Sequence, residues 1–247
     1  MEPASTFHAD SIVEGWRLAA TAVASTAGAS YITVVTCGAA WNTSSANIRA
    51  LDEAAIGVGA ERPSAVANML LPRIVQLSTE NAPEAIETGL KALGRGRGRG
   101  LRFSTWTHTY FERLTGAWYD RLGQRSEIKS NRLLGTIQKL NLWGQNAEAA
   151  FYIHTDLNSD PFRPLGSPCL QYVQFRAHAG QRLSVVGLYR AHDYTNKFLG
   201  NAVGLQILGE FVAKHTGRAF DGVGVVSLHP FCKTKRQLKQ LIDAVPV

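Results

Sequence analysis

Cys169 is followed at fixed distances by Arg190, Asp193 and Asn201, and these four residue types together can do chemistry on an electrophilic ring. A thiolate is a good nucleophile when a neighbour lowers its pKa or when it meets a polarised carbon. Arg190 is the nearest sequence candidate for that neighbour. If the apolar runs 171–175 and 183–189 pair as a hairpin, Arg190 falls across from Cys169, within reach of the sulfur or of a bound phosphate. The planar fork of donors on arginine suits a phosphate. Asn201 offers one amide donor and one carbonyl acceptor, a match for the N3–H and C4=O edge of a uracil ring. Plainer readings stand beside these. Cys169 is also what a small buried hydrophobe looks like. Asn201 is a good helix N-cap after Gly200, and Asp193 is a good turn cap.

The elements that must position these residues are legible in part. Ser11 to Thr26 reads as a helix, with Ile12, Val13, Trp16, Ala19 and Ala22 among its apolar positions. Tyr31 to Thr36 is a β-branched strand. Trp41 to Ser64 shows turn chemistry at Asn42-Thr43-Ser44-Ser45 and near Pro63, without a clear element. Ala65 to Leu71 predicts a short helix ended by Pro72, and Pro83 to Leu93 a longer one with Glu84 and Glu87 near its positive end. Leu101 to Tyr110 is aromatic-rich and expected to be extended. Ser130 to Leu142 is a helix with Leu133, Leu134, Ile137 and Leu140 on one face. Ala149 to Thr155 reads as a buried strand and Asp156 to Pro168 as a loop. An amphipathic helix opens near Asn201, a strand covers Gly222 to Leu228, and a helix covers Lys235 to Ala244. With no repeat and no composition break, the economical reading is one α+β domain over 1–247.

Charge and cysteine usage narrow the partners. The net charge of +7 favours anions without choosing between nucleic acid and a phosphorylated small molecule. Part of it is local, in the Gly-Arg alternation from Arg95 to Arg102 and in Lys233 to Lys239. Residues 94–102 are read as a flexible surface loop, because glycine defeats regular order. The segment lacks the interleaved aromatics of a single-strand binder, so nucleic acid is not the favoured partner. No run reaches the roughly 18 apolar residues that cross a bilayer, and the first ten residues show no basic region ahead of an apolar one. Cys37, Cys169 and Cys232 have unrelated spacings, which predicts neither a disulfide framework nor a metal site. The expectation is a reduced, cytoplasmic protein.

Three ordered motifs then resemble a known family. Ser-Pro-Cys-Leu-Gln-Tyr-Val-Gln-Phe (167–175), Arg190-Ala191-His192-Asp193 and Gly200-Asn201-Ala202-Val203-Gly204-Leu205 are similar to the core of the thymidylate synthase and pyrimidine nucleotide hydroxymethylase superfamily, closest to its short archaeal-type branch. Val212 to Gly217, Ser227-Leu228-His229-Pro230-Phe231 and Thr109-Tyr110-Phe111-Glu112-Arg113-Leu114 extend the pattern. The resemblance is continuous from about 149 to 232 and patchy from 105 to 148.

The resemblance implies a large mixed sheet covered by helices on one side, with its other face packed in a homodimer. It implies one-carbon transfer from 5,10-methylenetetrahydrofolate to C5 of a pyrimidine nucleotide, as a C5-methyltransferase or hydroxymethyltransferase of nucleotide biosynthesis. Cys169 would attack C6. Arg190 would touch thiolate and phosphate, Asn201 would read the ring edge, and Asp193 would support the folate and its waters. His229 would meet the sugar, Tyr110 would line the cavity, and Gln174 and Phe231 would complete the substrate site. No metal is implied. Asn201, where an aspartate would suit cytosine better, favours a uracil-type ring.

The sequence departs from the family pattern at the phosphate. The arginine pair expected from the neighbouring subunit would fall just before the strand at 149, where this chain has Asn146-Ala147-Glu148. A glutamate there would repel a phosphate by on the order of 1 kcal/mol at short range. Arg132 or the 95–102 segment are the candidate substitutes. Ala191 replaces a phosphate-binding serine and Phe231 a sugar-binding tyrosine, so a ribonucleotide or a free nucleoside is an alternative substrate, as in CMP-type hydroxymethylation during modified-nucleoside synthesis. Glu112 and Glu53 are candidates for a water-organising glutamate. A non-catalytic nucleotide-binding relative is the competing reading, and retention of Cys169 argues against it.

Overall fold

A computed structural model of the protein describes residues 4–26, 32–98, 108–119, 125–127, 131–143, 148–151 and 168–246. In chain order the elements are β1 (Ser5–Ala9), α1 (Ile12–Ser25), β2 (Thr33–Gly38), α2 (Ser45–Gly57), α3 (Pro63–Ala67), α4 (Arg73–Gln76), α5 (Ala82–Gly98) and α6 (Tyr110–Thr115). They continue with β3 (Ala117–Tyr119), β4 (Arg125–Glu127), α7 (Arg132–Trp143), β5 (Glu148–Phe151), β6 (Leu170–His178) and β7 (Arg182–Tyr189). The chain closes with β8 (His192–Asp193), α8 (Phe198–His215), β9 (Ala219–Ser227), β10 (Pro230–Phe231) and α9 (Lys235–Ala244). The architecture is α+β around a mixed sheet.

Among the described residues the main sheet has the order β1-β2-β9-β7-β6-β5. β1 runs parallel to β2 and β7 parallel to β9, while β2–β9, β6–β7 and β5–β6 are antiparallel. Alternation then divides the side chains. Val35, Cys37, Val223, Val225, Leu183, Val185, Tyr189, Leu170, Val173 and Phe175 are buried on the face that α1 and α8 cover. Val34, Val226, Val186, Leu188, Tyr172 and Gln174 share the opposite face, where they are half-buried.

α8 is the central helix. Its residues from Phe198 to Gly209 are all buried, so the amphipathic helix expected there is instead enclosed nearly all round. Its glycines let α3 come close. A Cβ on Gly200 would stand 2.7 Å from the Pro63 carbonyl oxygen and 2.5 Å from Val66 Cβ, which leaves no room for a larger residue. The helix opens at Phe198, three residues before the expected start, with Lys197 at the N-cap. Asn201 is therefore not a cap. It sits inside the first turns, which turns its amide inward.

Several elements differ from the sequence reading for identifiable reasons. The turn residues near 42–45 cap a helix: Ser44 Oγ accepts from the Asn47 N–H, and α2 follows. β1 is not read from the sequence, because it is only five residues long and its partner β2 is reached only through tertiary pairing. Pro72 does not simply end a helix but stands at the N-cap of α4. α5 runs on through the Gly-Arg alternation to Gly98, which corrects the flexible loop over 94–98; 99–102 lie outside the described residues. Glycine costs about 1 kcal/mol in a helix, but here Gly94 and Gly96 are buried while Arg95 is exposed, so small residues serve the packed face. Tyr110 opens helix α6 rather than ending a strand. Residues 101–107 and 152–167, which include most of the expected aromatic strand and the Asp156–Pro168 loop, lie outside the described residues. β5 begins at Glu148, and that residue pairs with Arg176 of β6.

Candidate functional site

Cys169 immediately precedes β6, and β7 places Arg190 directly across from it. Leu170 pairs with Tyr189, and the Arg190 N–H donates to the Cys169 carbonyl at 2.8 Å. A register shift between Leu170 and Tyr172 marks a bulge at the start of β6, where Gln171 Nε2 donates back to the Pro168 carbonyl at 2.5 Å. Bulges re-aim side chains at strand ends. The thiol is half-buried, and burial pushes it above its ordinary value. Three groups oppose that push: the Arg190 guanidinium, which also hydrogen-bonds the sulfur, the Lys197 ammonium, and the Ala191 N–H.

Two tyrosines lie behind the thiol. The Leu170 N–H donates to Tyr110 Oη at 3.2 Å, which fixes that phenol against the strand carrying Cys169. The Thr109–Glu112 capping box orients Tyr110 from below: Glu112 accepts from the Thr109 N–H at 2.7 Å and Thr109 accepts from the Glu112 N–H at 3.2 Å. Tyr189 is fully buried, and among the described residues its hydroxyl has no hydrogen-bond partner. Burial holds both phenols well above the usual tyrosine value, and the charge of a Cys169 thiolate would push each further. Cys169, Tyr110 and Tyr189 thus form one electrostatically coupled group.

Asn201 joins this group through His192. The His192 ring stacks on Tyr189 at 4.1 Å and leans on Phe198 at 4.7 Å. Asn201 Nδ2 is 3.0 Å from His192 Nε2, and His192 Nδ1 is 2.8 Å from Ser227 Oγ. Burial lowers the His192 pKa to about 3, so the ring is neutral at ordinary pH.

Asp193 closes the turn into α8. Its Oδ1 accepts from the N–H groups of Thr195 at 2.9 Å and Asn196 at 3.3 Å, and its Oδ2 from Asn196 Nδ2 at 2.9 Å. The turn-cap reading of Asp193 therefore holds. A carboxylate offers about four acceptor positions, so among the described residues one on Oδ2 is left over. The parallel pairing of β8 with β10 brings the last stretch of the site alongside: the His192 N–H donates to the His229 carbonyl and the Tyr194 N–H to the Phe231 carbonyl. The His229 side chain is exposed and stacks on Phe231 at 5.6 Å.

Chain topology therefore assembles Cys169, Arg190, Asp193, Asn201, Tyr110, His229 and Phe231 around the ends of β6, β7 and β9. Gln174 lies further along β6. It lies on the open face of the sheet, where its Oε1 accepts from the Tyr172 hydroxyl at 2.8 Å. Glu112 Oε2 takes part in the capping box, and Glu53 is exposed on α2. The sequence reading missed Tyr189, Lys197 and Ser227, and gave His192 no role. Tyr189 looked like one more apolar strand position. Lys197 acts on the thiol and pairs with Glu61 at 2.5 Å, a contact 136 residues apart that no local signal announces. Among the described residues no group of three or more His, Cys, Asp or Glu could hold a metal ion. None of their helices is long and apolar enough to cross a membrane.

No model of a known protein family matches the chain. Over 163 residues, 64% of this chain and 69% of the other, it is 29% identical to the "Putative thymidylate synthase" of Methanocaldococcus jannaschii. The likeness supports a thymidylate synthase-like protein. The mixed sheet covered by helices is compatible with such a fold.

Proposed function

We propose that this protein is a cytoplasmic, folate-dependent enzyme that transfers a one-carbon unit to C5 of a pyrimidine nucleotide, with a uracil-type ring favoured. The observation that carries the reading is the surrounding of Cys169: a half-buried thiol touched by an arginine and a backbone N–H, with two buried phenols behind it. The thiolate forms a bond from Sγ to C6, and the C5–C6 π pair moves toward the C4 carbonyl, which leaves C5 nucleophilic. Asn201 holds the N3–H and C4=O edge, so it also takes up charge that develops on O4. Arg190 serves the thiolate and the nucleotide phosphate. His229 and Phe231 border the sugar, and Tyr110 lines the floor.

Methylenetetrahydrofolate supplies the one-carbon unit when bound. The spare acceptor on Asp193 Oδ2, inside a turn that already uses its other positions, fits an N–H donor of a pterin. The product would be methyl if hydride, and hydroxymethyl if water, added to the transferred carbon that C5 has bonded.

We also propose that the open sheet face carrying Val34, Val186, Leu188, Val226 and Tyr172 is covered by a second copy of the chain. Adjacent half-buried apolar side chains across four strands form a patch of the kind that marks an interface.

Exchange of the C5 hydrogen tests the function. With dUMP, UMP, dCMP or CMP and methylenetetrahydrofolate, the protein should release C5 tritium, and Cys169→Ala should lower release more than about a thousandfold. Release that survives in Cys169→Ala, or none with any nucleotide from folded wild-type protein, would overturn the reading.

A further inference from the structure

A cavity of about 240 Å3 lies apart from Cys169, walled by α2, α3 and α4, with Ile207 of α8 also lining it. Ile207 is six residues beyond Asn201. It therefore stands roughly 9 Å further along α8 and about 240° round it, so the cavity opens on another side of the helix.

Two guanidinium groups line this cavity, and their partners are unusual. Arg73 is half-buried. Its Nη1 donates to the Thr43 carbonyl at 3.3 Å and to Gln76 Oε1, and its Nη2 donates to Ser45 Oγ at 2.9 Å. All three acceptors are neutral. Arg49 stands one turn beyond Ser45 on α2 and is exposed. Among the described residues neither arginine forms an ion pair. Asp52, the carboxylate in the wall, is engaged by α3 instead: its Oδ1 accepts from the Ser64 N–H at 2.9 Å and its Oδ2 from the Ser64 hydroxyl at 2.5 Å. α2 starts beside Arg73 and has no acidic residue in its first turn, so its positive end adds to the same field. Two cations that share a cavity without a counter-charge repel each other, and an anion placed between them reverses the sign of that energy.

We propose that this cavity is a second binding site, separate from the one at Cys169, and that it takes a sugar phosphate. The inference does not rest on the reading of Cys169. Two guanidinium groups and a helix N-terminus suit a dianionic phosphate better than a single carboxylate, and the planar fork of arginine matches phosphate oxygens in pairs. The far end of the cavity has the opposite character. Ser45 and Asp52 are seven residues apart on α2, about 10 Å along the helix. A phosphate held at Arg73 and Arg49 therefore directs the rest of the ligand toward Asp52. Among the described residues each Asp52 oxygen keeps a further acceptor position, which suits hydroxyl donors and repels a second anionic group. Ile48, Ala67 and Ile207 give the space between an apolar lining. The volume falls below the roughly 300 Å3 at which pockets for drug-sized ligands begin. That favours a body as small as a pentose over a whole nucleotide.

Isothermal titration of the full chain with ribose 5-phosphate, inorganic phosphate and ribose tests the proposal. Ribose 5-phosphate should bind more tightly than inorganic phosphate, and ribose should give no heat of binding. Arg49→Gln should weaken ribose 5-phosphate at least about tenfold, the size of one hydrogen bond to a charged group. Because Arg49 is exposed and holds no other element, that variant keeps its fold. Arg73→Gln should show the same loss; where it fails to fold, Arg49→Gln decides. Arg62→Gln, an exposed arginine outside the cavity, should leave the affinity unchanged, and so should Arg190→Met, which alters the Cys169 site. Absence of ribose 5-phosphate binding to wild type would overturn the proposal. So would binding that is lost in Arg190→Met but kept in Arg49→Gln, because the phosphate would then belong to the site at Cys169. Equal affinity for inorganic phosphate and ribose 5-phosphate would overturn the assignment of a sugar.

Discussion

Cys37 and Cys169 carry the same thiol on the same sheet, and their surroundings direct them to different ends. Cys37 faces inward from β2 under α1, where it is buried among apolar groups. Burial, with a smaller push from the Glu14 carboxylate, raises its pKa to about 12. Cys169 stands at a strand end. Burial raises its pKa too, but there Arg190, Lys197 and a backbone N–H resist. The difference is one of position: a strand interior surrounds a thiol with hydrocarbon, whereas a strand end surrounds it with turn N–H groups and the charged residues of adjoining loops.

Alkylation gives the largest contrast. At pH 8, iodoacetamide should label Cys169 at least about a hundredfold faster than Cys37, since a thiol with pKa near 12 is thiolate only to the order of one part in ten thousand. Peptide mapping of time points checks this, and comparable rates would remove the distinction. Arg190→Met sharpens it. Loss of the guanidinium raises the Cys169 pKa further, so the alkylation profile should move to higher pH and the rate at pH 8 should drop about tenfold. Cys37 labelling should not change.

The packing side of the comparison gives the smallest effect. A Cβ on Gly15 of α1 would lie 2.5 Å from Cys37 Sγ and 2.9 Å from Val35 Cγ1. Gly15→Ala should therefore destabilise the fold by about 1–3 kcal/mol in urea unfolding. Adding Cys37→Ala to it should recover part of the loss, because the sulfur is one of the two clashing atoms. Strict additivity of the two substitutions would show that Cys37 is not the group that sets the α1–β2 distance.

The regular elements were most legible where periodicity and burial agree. α9 has the bounds read from sequence, and α1 and α7 lie within two residues of theirs, because each shows one apolar face to the core. α8 was misread as amphipathic and started too late, since its enclosure depends on α3 and on the sheet, neither of which is local. The Gly-Arg stretch failed for the same reason in reverse: glycine composition predicts disorder, and packing keeps the helix to Gly98. At the site, the Cys169–Arg190 pairing was accessible because a hairpin makes it nearly a counting exercise. Gln174 lies further along β6, where its Oε1 accepts from the Tyr172 hydroxyl.

By itself, the sequence determined the candidate nucleophile, the arginine opposite it, an asparagine whose amide suits a pyrimidine edge, and the helices whose faces must be buried. Those follow from residue chemistry and short-range periods. Tertiary structure alone decided that Tyr110 and Tyr189 stand behind the thiol, that Lys197 pairs with Glu61 close to it, and that Asn201 meets His192 in the interior. These contacts join segments far apart in the chain, and their energies come from burial and from hydrogen bonds that exist only once water has been excluded.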